Sequence, residues 1–146
     1  MLKIKYDIVG SFLRPQEIKE ARKKYFDGKI SIEELREVED QEIEKLVAKE
    51  VEHGLKIVTD GEFRRRWWHL DWLKEFDGFT TKHLEKERNG QVNKIELGMV
   101  CGKISYDRSA NHPEIQAWDF LYNLVKKYPG VEAKKCISGP NMILFY

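Results

Sequence analysis

The chain has 146 residues, of which 41% are hydrophobic and 35% charged, and its formal net charge is +1. That is the make-up of one solvated globular domain, and the balanced charge gives no bulk attraction to nucleic acid or to an anionic membrane. The longest apolar run, Met142 to Tyr146, is far shorter than a membrane span or a signal-peptide core, and Cys101 and Cys136 form no C-x-x-C pair, which fits a reduced, cytoplasmic setting.

In chain order, Tyr6 to Phe12 reads as a short strand ending at Gly10-Ser11. Arg14-Pro15 opens a helix with Ile18, Ala21 and Tyr25 on its apolar face, and Asp27-Gly28 ends it. Ser31 and Glu34 have capping-box spacing for a second helix, with Leu35, Val38, Ile43, Leu46, Val47 and Val51 as its apolar stripe. Gly54 stands where a left-handed residue stops it. Leu55 to Thr59 predicts a strand that runs into Asp60-Gly61-Glu62, and Trp68, Trp72 and Phe76, four apart, predict a helix. Thr80 to Gly98 is polar, with Asn89-Gly90 as a hairpin signal, an excursion from the main fold. Met99 to Tyr106 predicts a third core strand. His112-Pro113 opens a helix with Ile115, Trp118, Leu121, Tyr122 and Val125 inward, Lys126-Lys127 suit its negative end, and Pro129-Gly130 stops it. Val131 to Ile137 predicts a fourth strand, ending at Ser138-Gly139-Pro140. The alternation predicts an α/β fold with parallel strands, either an open doubly wound sheet or part of a (β/α)8 barrel. Both place ligands beyond the C-terminal strand ends.

The chemistry-bearing residues fall at those exits. Gly10-Ser11 offers backbone N–H groups and a hydroxyl to a carboxylate, or is simply a turn. Asp60 and Glu62 bracket a glycine beside Arg64-Arg65-Arg66. They are suited to an ammonium or to base chemistry, or to pairing with those arginines in a solvated turn. Trp68 belongs to a helix face or stacks on a planar ligand. Of the four histidines only His69, near Glu62 in sequence, is a pocket candidate; no zinc-binding spacing occurs, and the cysteines read as packing residues.

Taken together, Val9-Gly10-Ser11-Phe12 with Arg14, Gly54-Leu55 leading to Val58-Thr59-Asp60-Gly61-Glu62, the run Glu62-Phe63-Arg64-Arg65 followed by Trp68-His69-Leu70-Asp71, and Ser138-Gly139-Pro140 resemble one family in the right order. It is the catalytic barrel of cobalamin-independent methionine synthase, above all its single-barrel relatives. The resemblance implies the N-terminal half of a (β/α)8 TIM-type barrel over residues 1–146, ending after the fourth strand. It implies a zinc-dependent methyltransferase that moves a methyl group from 5-methyltetrahydrofolate to a homocysteine-like thiol. Val9, Gly10 and Ser11 would hold the amino-acid carboxylate and Glu62 the ammonium, with Arg14, Asp60, Arg64, Trp68, His69 and Ser138 as further pocket residues. The family's zinc ligands, a His, a Glu and two Cys, lie on later strands and have no counterpart here, and no catalytic residue is assigned. The family carries histidine where this chain has Asp60, which leaves open a barrel relative acting on another thiol. A non-enzymatic small-ligand-binding or interaction module is the third reading. A half barrel with an uncovered strand edge near Ile137 and the apolar tail Met142 to Tyr146 is expected to self-associate.

Overall fold

The computed structural model describes residues 7–88, 91–107 and 112–145, and it is mixed α/β. The elements are α1 (Gln16–Phe26), α2 (Ile32–Glu52), β1 (Ile57–Val58), α3 (Leu70–Leu73), β2 (Asp77–Arg88), β3 (Gln91–Ser105), α4 (Pro113–Val125), β4 (Glu132–Ala133) and a 3-10 turn (Pro140–Phe145). They divide between two compact units, one of residues up to Arg65 plus Pro113–Cys136, the other of Arg66–His112 plus the residues from Ile137 on.

The first unit is built on α1, α2, α4 and one parallel strand pair. The reciprocal capping box of Ser31 and Glu34 forms as the spacing requires, Ser31 Oγ accepting the Glu34 N–H at 3.1 Å and Glu34 accepting the Ser31 N–H at 2.7 Å. At the far end Gly54 takes φ +82°, releasing the chain into β1. β1 and β4 pair in parallel, Ile57 opposite Glu132 and Val58 opposite Ala133. Flanking bonds run from Glu132 N–H to Lys56 O and from Lys134 N–H to Val58 O, both 2.9 Å. The core is Ile18 from α1, Ile43 and Val47 from α2, Val58 from β1, Phe63 from the turn after it, and Leu121, Leu124 and Val125 from α4.

The second unit is an antiparallel hairpin with a small aromatic core. β2 and β3 pair from Arg88 opposite Gln91 back to Asp77 opposite Ser105, with an irregularity between Asp77 and Phe79. Leu70, Leu73 and Phe79 are buried, with Trp67, Trp72, Phe76, Ile104 and Ile143 packed against them.

Several expectations are corrected. Residues 7–12 form no strand: Phe12 N–H to Gly61 O is the one backbone bond the segment is seen to make, and Val9 and Leu13 are exposed rather than packed. The third core strand, Met99 to Tyr106, is instead the returning arm of the hairpin, because Met99 and Val100 find Thr80 and Phe79 as antiparallel neighbours. The hairpin turn itself, Asn89-Gly90, lies outside the described residues. The aromatic repeat Trp68, Trp72, Phe76 yields only the single turn α3: Trp72 and Phe76 pack on the hairpin core, whereas Trp68 is exposed. In α4 the buried stripe is Ala117, Leu121, Leu124 and Val125, whereas Ile115 and Tyr122 face solvent and Tyr122 stacks on Trp118 with ring centroids 5.9 Å apart. Strand pairing at the fourth strand is confined to Glu132–Ala133, so Cys136 lies past it, and Cys101 and Cys136 are exposed free thiols rather than packing residues. Among the described residues one parallel pair is present and no barrel closes.

Candidate functional site

The turn that leaves β1 is the most constrained stretch of the first unit. Gly61 has φ +62° and Glu62, a residue with a full side chain, has φ +54°. Two consecutive left-handed residues are unfavourable for an L-side chain and persist only where the surroundings over-determine them. Here they do. The Gly61 N–H donates to Thr59 Oγ1 (3.2 Å), the Glu62 N–H to Asp60 Oδ1 (3.0 Å) and the Phe63 N–H to the Asp60 carbonyl (3.2 Å). A Cβ on Gly61 would lie 2.5 Å from Leu46 Cδ2, so only glycine fits.

Arginines fasten the turn to the helices. Arg14 donates from Nη2 to the carbonyls of Glu62 (3.0 Å) and Arg65 (2.6 Å), and from Nε to that of Phe63 (3.3 Å). Arg22 donates to the carbonyls of Phe63 (2.5 Å) and Arg65 (3.2 Å) and pairs with the buried Glu39 (3.2 Å), which also meets Arg36 (2.6 Å) and Arg64 (3.7 Å). Arg64 further pairs with Asp40 and lies over the Phe120 ring at 5.0 Å. Burial pulls the Arg14 guanidinium below its ordinary value, with Arg22 and Arg65 adding to the effect. Arg14 and Arg64 therefore hold the loop.

Three carboxylates meet at this turn. Asp60, 1% exposed, accepts from Lys135 Nζ at 2.6 Å, and Lys135 also reaches Glu114 at 2.8 Å. Burial works to lower the Lys135 ammonium, but Asp60 and Glu114 together outweigh it and hold it raised. Glu62 is largely buried, and its Oε2 meets Arg65 as an ion pair without hydrogen-bond alignment. Glu50, reaching over from α2, accepts the Thr59 N–H at 3.2 Å and the Thr59 hydroxyl at 3.4 Å. Burial raises its carboxyl to about 7 against those two donors, and Asp60 adds to the rise.

Of the residues singled out from sequence, the structure brings Gly10, Ser11, Arg14, Asp60, Glu62 and Arg64 into the first unit around this turn. The link is the bond from Phe12 N–H to Gly61 O at 3.1 Å, which lays the Gly10-Ser11 segment against the turn. Gly10 has φ +87°, and Ser11 and Arg14 line a cavity of about 710 Å³. Val9 is 84% exposed. Trp68, His69 and Ser138 gather separately in the second unit. The Ser138 hydroxyl donates to the Trp68 carbonyl at 2.9 Å, and the Trp68 and His69 rings stand 4.4 Å apart. Burial lowers the His69 imidazole, with Asp71 opposing.

Glu50, Thr59, Glu114 and Lys135 were not singled out from sequence. The signal for Glu50 was present in the helical register: it falls three residues beyond Val47, on the stripe of Leu35, Glu39, Ile43 and Val47 that faces the core. Lys135 had no such signal, because its role depends on β4 pairing beside β1. The zinc implied by the resemblance finds no ligand set. Among the described residues no three His, Cys, Asp or Glu stand together as a metal site, and Cys101 and Cys136 are exposed in different units.

Comparison with known proteins adds to this geometry. The family model described as cobalamin-independent synthase, catalytic domain, matches residues 6–144. The chain is 38% identical over 142 residues to the uncharacterized protein YxjH of Bacillus subtilis, covering 95% of this chain and 36% of that protein. It is 26% identical to the 5-methyltetrahydropteroyltriglutamate–homocysteine methyltransferase of Flavobacterium johnsoniae, covering 93% of this chain and 17% of that enzyme. A crystal structure from Listeria monocytogenes, proposed to be a vitamin-B12 independent methionine synthase, superposes with a TM-score of 0.74 at 37% identity, covering 95% of this chain and 37% of that one. The chain thus spans little more than a third of the length of YxjH and of the Listeria protein.

Proposed function

Because this chain belongs to the family of the cobalamin-independent synthase catalytic domain, we propose that it forms the amino-acid-binding portion of a (β/α)8 methyltransferase acting on a homocysteine-like thiol. In this reading residues 1–146 are the N-terminal portion of the barrel. Val9, Gly10 and Ser11 receive the substrate carboxylate, and Glu62 receives the ammonium in the place where Arg65 now sits. Asp60, Arg14 and Arg64 shape the turn. The observation that carries the reading is the Phe12–Gly61 hydrogen bond, which sets the glycine–serine segment beside a glutamate held in a left-handed conformation.

The methyl donor in this reading is 5-methyltetrahydrofolate and the setting cytoplasmic. Zinc would lower the pKa of the acceptor thiol, but the described residues of this chain do not fit a zinc site, so the metal would have to be held elsewhere in a complete enzyme. A second reading keeps the barrel and changes the acceptor thiol. It is favoured by Asp60, which the half-buried Lys135 engages where the family carries histidine.

Isothermal titration with L-homocysteine and L-methionine tests the role of Glu62. A buried charge-assisted hydrogen bond contributes roughly 1.5–3 kcal/mol, so Glu62→Gln should weaken binding by about 10- to 150-fold. Unchanged affinity would remove Glu62 from the site.

A further inference from the structure

Glu50 is buried near the C-terminal end of α2, with 4% of its surface exposed, and it belongs to none of the motifs that suggested the site. Both of its carboxylate oxygens turn to one residue, Thr59: they lie 3.2 and 3.4 Å from its amide nitrogen, and one of them accepts from its hydroxyl. Thr59 passes the contact on, its Oγ1 accepting the N–H of Gly61, and the next amide, that of Glu62, is held by Asp60. The left-handed pair Gly61–Glu62 thus hangs on a chain of hydrogen bonds that begins at a helix carboxylate.

We propose that Glu50 is a positioning residue of the amino-acid site, setting the Gly61–Glu62 turn through Thr59, and that its protonation tunes how tightly the site holds its ligand. The inference rests on the amino-acid reading above. Its physical basis is the contrast between two neighbouring acids. Asp60 has a cation of its own in Lys135, whereas the partners of Glu50 are the neutral donors of Thr59. The charged groups around Glu50 are Asp60 from the turn and, along α2, Glu42, Lys45, Lys49 and His53, which line the same cavity of about 610 Å³. Lys45 is engaged by Glu42 at 2.5 Å, and the His53 ring by the Lys49 carbonyl at 2.7 Å.

Neutral Glu50 satisfies the Thr59 amide and hydroxyl without adding charge. Ionised Glu50 becomes a second buried negative charge near Asp60 and draws harder on the two Thr59 donors, so the charge of Glu50 bears on the geometry of the turn. With its carboxyl raised to about 7, the change falls in a range where an amino acid's own ammonium and carboxylate do not titrate. Glutamine at position 50 keeps a side-chain oxygen to accept the Thr59 N–H and carries no charge at any pH.

The test uses the chain itself. The Gly61 amide is followed by NMR from pH 5.5 to 8.5 without ligand, and L-methionine affinity is measured calorimetrically at pH 6 and pH 8. In the wild type the Gly61 resonance should titrate with a midpoint near that of Glu50. Affinity should fall by about two- to fivefold between the two pH values, a coupling of at most about one pKa unit. In Glu50→Gln both effects should vanish while binding persists at its low-pH level. Glu50→Ala, which strips the Thr59 amide of its acceptor, should bind weakly at both pH values. A Glu50→Gln protein with the wild-type pH profile, or a Gly61 amide that does not respond to pH, overturns the proposal. A Gly61 amide that titrates only when Glu50 is present, in a chain that binds no amino acid, upholds the control of the turn and overturns the amino-acid reading instead.

Discussion

At the scale of single residues, the turn after β1 concentrates the cost of the site. Gly61→Ala would place a methyl group 2.5 Å from Leu46 Cδ2 at φ +62°. Conformational strain and overpacking act together there, so a loss of about 2–4 kcal/mol is expected in urea unfolding; a loss within 0.5 kcal/mol would mean that the turn relaxes freely. Glu50 makes stability depend on pH. Its folded value of about 7 lies above the ordinary 4.5, so the folded state binds the proton more tightly than the unfolded chain. The resulting stabilisation is fully present below pH 4.5, is lost as pH rises towards 7, and stays lost above that. The loss is on the order of 3 kcal/mol at 1.36 kcal/mol per unit. Unfolding curves of wild type and Glu50→Gln should diverge as pH rises through this window, with Gln the more stable at pH 8. Parallel curves would contradict the burial argument.

At the scale of elements, helices were legible wherever a local rule suffices. Ser31 and Glu34 announce the start of α2 and Gly54 its end, and both act as their chemistry requires. Strands were harder, because a strand exists only by virtue of its neighbour. Met99 to Tyr106 has the composition of a core strand, but the segment beside it is Asp77–Arg88, so it runs antiparallel in a hairpin. Tyr6 to Phe12 has an apolar pattern too, yet its described part shows one backbone bond, to the β1 turn. The site followed the same logic. Asp60-Gly61-Glu62 could be picked out because it stands at the end of β1, whereas Gly10-Ser11 was read as the end of a strand that does not form. Lys135 and Glu114 could not, because their meeting with Asp60 depends on tertiary placement.

At the scale of the whole molecule, the chain spans little more than a third of the length of YxjH and of the Listeria protein, and it carries large apolar side chains on its surface. Leu13 is 96% exposed, Leu144 87% and Val9 84%. Large exposed apolar side chains favour association, so light scattering of the purified chain should show species larger than the 17.3 kDa monomer at micromolar concentration. A strictly monomeric chain would show that these residues are tolerated singly. The central claim is that an amino acid binds between the Gly10-Ser11 segment and Glu62, and the most direct test is an NMR titration of the isotope-labelled chain with L-methionine. The account predicts saturable shifts at the amides of Gly10, Ser11, Gly61 and Glu62, with the Arg65 side chain displaced from Glu62. Shifts confined to other residues, or no shifts at millimolar ligand, would contradict it.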